Sequence, residues 1–233
     1  MRHILYTVLL VIVLCSLHAQ ENGYIEKDFV ETRDIHYKES LLFFRGVAVV
    51  PNVIANRGFR NSFKGIYEAN LSLNIRVASG FSVGVGLKNS LISTQERLQN
   101  VDIRMQLYTA FVRLGYNRYH TQKTYSSMAI NTGYNNSFFT NVVPIHSPII
   151  TKQYNSLVFE PEYSINFAIE ENFAVGIFIS YAFFATPFDA KNIGMQDYSS
   201  LSTVNNTKAN GMLNVGFNFH VGMGKRFKPD YQD

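Results

Sequence analysis

The sequence predicts an all-β fold, an eight-stranded antiparallel up-and-down transmembrane β-barrel. Three observations carry this: apolar and polar residues alternate with period two, the alternating segments number eight, and their connections alternate long and short. Of 233 residues, 46% are hydrophobic and 16% charged, enough apolar material for one folded unit and too little charge for a disordered chain. Nineteen Phe and 14 Tyr stand beside no Trp, and 15 Gly outnumber 6 Pro, a balance that suits strands.

Residues 1–19 read as an export signal. Met1-Arg2-His3 is a short basic start, 4–14 is an apolar run, and Ser16 to Gln20 supplies small residues for cleavage near Ala19. The run is short for about 30 Å of hydrocarbon. Leu14 precedes Cys15 where a lipoprotein would carry a small residue, and Cys15 is the single cysteine, so cleavage leaves no thiol for a disulfide or metal. Removing Arg2 leaves an excess of about three positive charges, interleaved along the chain, which does not imply a nucleic-acid partner. The expected organisation is signal 1–19, periplasmic N-terminal arm 20–40, barrel 41–223 and periplasmic tail 224–233.

Eight candidate strands follow: 41–50, 65–78, 81–93, 101–115, 124–138, 155–169, 172–186 and 209–223. The first is apolar on both faces apart from Arg45, so its register is the least defined. The second is the most legible: Tyr67, Ala69, Leu71, Leu73, Ile75 and Val77 oppose Glu68, Asn70, Ser72, Asn74 and Arg76, a pattern that a helical period of 3.6 would scramble. In the third, Phe81, Val83, Val85 and Leu87 oppose Ser82, Gly84, Gly86 and Lys88. In the fourth, Val101, Ile103, Met105 and Leu107 are assigned to the apolar face, with Asp102, Arg104 and Gln106 opposite. The later strands repeat the alternation, with Glu160, Glu162 and Asn166 on the polar face of the sixth and Asn214, Asn218 and His220 on that of the eighth.

The connections 51–64, 93–100, 139–154 and 187–208 are long, while Ser79-Gly80, 116–123 and Glu170-Glu171 are shorter. That alternation fits short turns in the periplasm and long loops outside, and eight crossings return the C-terminus to the periplasm. A soluble sandwich is the alternative, with the apolar faces turned inward. Strand lengths, full charges on the polar faces and aromatic residues near strand ends favour the barrel. Phe63, Tyr67, Phe138, Phe139, Tyr154, Phe184 and Phe188 are expected in an outer girdle, and Phe81, Tyr116, Tyr119, Tyr125, Phe173 and Phe227 near an inner one.

With the signal ending His18-Ala19-Gln20, the Gly-containing strand Phe81 to Leu87 and the closing Leu213 to Gly222, the chain resembles the small outer-membrane β-barrels of the OmpA-domain and OmpX type, in their Bacteroidota form. The resemblance covers nearly all of the chain after the signal, is architectural, and includes no catalytic motif. Where such barrels stop on a terminal aromatic, this chain continues through 225–233. The resemblance implies outer-membrane location and a partnership with outer-membrane lipids, lipopolysaccharide and other outer-membrane or periplasmic proteins, as an accessory part of secretion, assembly or motility machinery.

Eight strands enclose a bore that side chains can fill, whereas large aqueous pores need sixteen or more. Glu68, Arg76, Lys88, Asp102, Arg104, Glu160, Glu162 and His220 are expected to form a polar core in that bore, paired because an uncompensated charge there is expensive. Glu160 and Glu162 are expected opposite Arg76 and Arg104. A narrow solute path is the competing reading of the same residues. Family members that modify lipids place a Ser and a His at the outer mouth. His146 and Ser147 are the counterparts here, but adjacent residues make a poor nucleophile–base pair, and no carboxylate lies near them in sequence. No His has metal-ligand spacing, so no cofactor or metal is expected and the chain reads as non-enzymatic. The polar loop 187–208 and the arm 20–40 are candidate partner surfaces.

Overall fold

Alternating apolar and polar side chains suit a pleated strand with two different faces, and the chain forms eight of them. The structure, a computed structural model, describes residues 40–54, 57–95, 103–121, 123–141, 150–185 and 210–226. The strands are β1 (Ser40–Val53), β2 (Phe63–Ala78), β3 (Phe81–Thr94), β4 (Ile103–Tyr119), β5 (Thr124–Asn141), β6 (Ile150–Glu170), β7 (Phe173–Phe184) and β8 (Asn210–Arg226). A short helix, α1 (Arg57–Ser62), precedes β2, and no helix among the described residues is long and apolar enough to cross a membrane. Each strand pairs antiparallel with its neighbour in sequence, and β1 pairs with β8 to close the barrel. Closure removes the exposed edges that an open sheet would present.

The expected strands are all present: β1, β2, β3, β5 and β6 run further toward the loops than expected, β4 and β8 further toward the turns, and β7 is shorter. Tight turns join β2 to β3 and β6 to β7, and Gly80 adopts φ +75°, a conformation only glycine takes without strain. Register breaks at Ile66 in β2, between Arg76 and Ala78, and near the foot of β6 are bulges that bend the wall. The signal 1–19, the arm up to residue 39, the loops that carry Asp102, His146 and Ser147, all of 187–208 with Phe188, and the tail beyond 226 with Phe227 lie outside the described residues.

The wall is inverted relative to a soluble barrel. Outside stand Leu71, Leu73, Ile75, Val85, Leu87, Leu114, Ile130, Leu157, Ile177 and Phe217, the last of them 72% exposed. Inside are Arg45, Asn74, Lys88, Arg113, Asn166 and Asn214, each with no more than 2% of its surface accessible. On β4 the outward stretch from Tyr108 to Tyr116 covers about 27 Å along the strand, or about 21 Å along the axis at the usual tilt.

At the loop end the polarity reverses. Val53, Phe59, Phe63, Ile92, Ile103, Met105, Leu107, Phe139, Val158, Ala182, Phe184 and Met212 form one buried apolar cluster inside the bore, with Tyr154 against it. This corrects the reading of the fourth strand. Ile103, Met105 and Leu107 point inward, and Arg104 is exposed on the outer face rather than in the lumen. The lumen position falls to Arg113, whose outward neighbours are Val112 and Leu114. Phe63, Phe139 and Phe184 likewise fill the bore instead of a girdle, because above the apolar belt the outside of the wall no longer needs apolar residues and the inside does. Tyr125 is also buried inside, against Tyr119 and His220.

Candidate functional site

The polar interior below the apolar cluster is where this chain concentrates its buried charge. Period-two alternation places Glu68, Arg76, Lys88, Glu160, Glu162 and His220 inside, all of them buried, together with Arg45 and Arg113. Asp102 lies outside the described residues. The alternation around Val112, Leu114 and Tyr116 was the available signal for Arg113. Arg45 had none, since β1 is apolar on both sides of it.

The charges form two clusters. In the first, Lys88 Nζ lies 2.7 Å from Glu160 Oε2 and 3.6 Å from Glu68 Oε1. Ser90 Oγ donates to Glu68 at 2.7 Å, Ser180 Oγ donates to Glu160 at 2.5 Å, and Asn214 Nδ2 donates to both carboxylates at 3.2 Å. In the second, Glu162 Oε1 takes an ion pair from Arg113 Nη1 at 2.6 Å and another from Arg45 Nη2 at 2.8 Å, while Asn131 Nδ2 donates to its other oxygen at 3.0 Å. Both clusters are cross-bore ties, and between them they engage all eight strands. The expected pairing of Glu160 and Glu162 with Arg76 and Arg104 is thereby corrected: the tilt of the strands brings Lys88 level with Glu160, and Arg45 and Arg113 level with Glu162. Satisfying each carboxylate with both a cation and neutral donors is what makes such burial tolerable.

Nearer the turn end, Arg76 Nη2 donates to Tyr119 Oη at 3.4 Å and its guanidinium lies 5.8 Å from the Phe43 ring centre. Phe43 stacks on His220 with 5.8 Å between centres and 6° between planes, and Tyr125 meets the same imidazole edge-on. His220 is thus held among rings and arginines.

Ser180 donates to a carboxylate, not to a His. His120 Nε2 lies 2.9 Å from Ser126 Oγ at the β4–β5 turn, a nucleophile–base spacing, but among the described residues no carboxylate meets the other ring nitrogen of His120. Among the described residues no group of three His, Cys, Asp or Glu is placed to hold a metal ion.

No protein-family model and no curated protein matches the chain. Solved structures do. Neisserial surface protein A matches with a TM-score of 0.53 at 10% identity, covering 79% of this chain and 98% of that one. A major outer membrane protein from Thermus thermophilus matches with a TM-score of 0.49 at 12% identity, covering 77% and 99%. The outer membrane protein OprG from Pseudomonas aeruginosa matches with a TM-score of 0.44 at 15% identity, covering 81% and 99%. At 10% identity, what the Neisserial structure shares with this chain is the barrel fold.

Proposed function

We propose that the protein is an integral outer-membrane barrel with a filled, non-conducting lumen, serving as a structural or accessory component of an outer-membrane assembly rather than as an enzyme or channel. One observation carries this reading: the wall is apolar outside and ion-paired inside over the height of a hydrocarbon layer, an arrangement that is costly in water and favourable only in lipid. In that setting outer-membrane lipids and lipopolysaccharide cover the belt, the long connections face outward, and the turns and both termini face the periplasm.

The filled bore supports a non-conducting role. A solute would have to part the Lys88–Glu160 and Arg113–Glu162 pairs and then the apolar cluster that Phe59 and Phe63 roof at the loop end. With conduction and nucleophilic chemistry both poorly served among the described residues, the reading turns to surfaces that contact other molecules: the belt, the outer loops and the periplasmic termini.

The test is the native size and composition of the protein extracted from its own membranes in mild detergent. Co-purification with other outer-membrane proteins at fixed stoichiometry is expected. Recovery as a lone barrel, discrete conductance steps in a planar bilayer, or lipid modification lost on substituting His146 or Ser147 would each overturn the accessory role.

A further inference from the structure

Above the belt, the outward wall of β3–β6 becomes polar in an ordered way. Register pairs Asn89 with Tyr108, Tyr108 with Asn136, and Asn136 with Asn155, which makes one row across four strands. The next row toward the loops places Gln106 beside Phe138, and Phe138 beside Gln153. Behind this face the bore holds Ile92, Met105, Leu107 and Phe139 together with the buried Ser90, Asn135, Ser137 and Ser156.

We infer that this amide–aromatic face of β3–β6 binds the saccharide of the glycolipid leaflet surrounding the loop end of the barrel. The inference rests on the outer-membrane reading, with the long connections outward. Hydrocarbon cannot be the neighbour at this height, since burying an unpaired amide in it is strongly unfavourable. The face is continuous with the apolar belt one row below, where Leu87, Ala110, Tyr134 and Leu157 align, so it stands at the level of the lipid's polar portion.

Its chemistry fits a sugar. An amide presents two donors and an acceptor on one small group, as vicinal hydroxyls require; Asn136 and Asn155 stand on neighbouring strands about 4.8 Å apart, while Asn89 and Asn136 flank Tyr108, and Gln106 and Gln153 flank Phe138, at about twice that spacing. Tyr108 and Phe138 meet edge-to-face with 5.9 Å between ring centres, offering the flat apolar surface on which the C–H face of a sugar ring rests.

The experiment titrates the full mature chain, folded in detergent micelles, with rough-type lipopolysaccharide. It compares the native chain with a triple variant, Asn89→Ala with Gln106→Ala and Asn136→Ala, and with Ile130→Ala in the belt as control. The triple variant is expected to bind about tenfold more weakly, the control as tightly as the native chain. If the triple variant loses the heat-sensitive gel mobility of a folded barrel, the single variants of similar size Gln106→Met and Asn136→Leu carry the test, each weaker by about threefold. Equal affinity in native and variant chains overturns the inference. Lipid-free core oligosaccharide binding as tightly as the glycolipid also overturns it, by moving the ligand from the leaflet to a soluble glycan. Insertion of the native chain into vesicles is read separately: a chain that inserts but does not discriminate loses only the saccharide site, whereas one that does not insert loses the membrane reading itself.

Discussion

Lys88 on β3 and Glu160 on β6 meet at 2.7 Å across the bore, although 72 positions separate them and their strands are not neighbours in the sheet. Glu68 shares the same ammonium at 3.6 Å, so one cation holds two buried carboxylates together. Lys88→Met leaves both carboxylates uncompensated and is expected to cost about 3–5 kcal/mol, read from denaturant unfolding of the barrel in micelles. Adding Glu68→Gln and Glu160→Gln to that variant should recover much of the loss. An unchanged unfolding midpoint for Lys88→Met would show that the pair contributes no stability.

Glu162 is the mirror case, one carboxylate oxygen between two guanidinium groups. Glu162→Gln leaves Arg45 and Arg113 facing each other, and a double-mutant cycle with Arg113→Met should give a coupling energy above about 1 kcal/mol. Because both partners are buried, the midpoint of the native chain should hardly move between about 0.05 and about 0.5 M salt. A cycle that sums to zero would place these charges in independent environments.

Phe219 on β8 covers Gly46 on β1, where any Cβ would collide with the ring. Since β1 and β8 form the closing seam, Gly46→Val is expected to expel the ring, destabilise the barrel by about 1–3 kcal/mol and slow its folding into micelles. Ala48→Val, on the same outward face of β1, serves as control. Folding of Gly46→Val at the native rate and stability would remove the seam contact from consideration.

The polarity switch on β4 fixes where hydrocarbon should end. In the chain without residues 1–19, which has no cysteine, Gln106→Cys should react with a membrane-impermeant maleimide in proteoliposomes and Leu114→Cys should be protected. Equal labelling of the two would mean that the boundary does not run near Tyr108.

The number of strands, their order and the two-faced character of β2 and β3 were legible because alternation is local: neighbouring residues on an extended backbone must point to opposite faces. For the same reason Glu68, Arg76, Lys88, Glu160, Glu162 and His220 could be placed inside. The reading failed on β4 by assuming that one face stays apolar along the whole strand. Arg104 and Gln106 lie above the belt, where polar residues face outward, while Arg113 lies within it and faces inward.

By itself, then, the sequence determined the extended backbone, the period-two segregation of side chains and the count of crossings, because each depends on neighbours a few positions away. Only the closed barrel decided which face meets the bore at each height and which charge meets which, as in Lys88 with Glu160 and Arg113 with Glu162. Those choices depend on strand tilt, on the β1–β8 seam and on the level at which hydrocarbon gives way to water, and none of these is a property of any one segment.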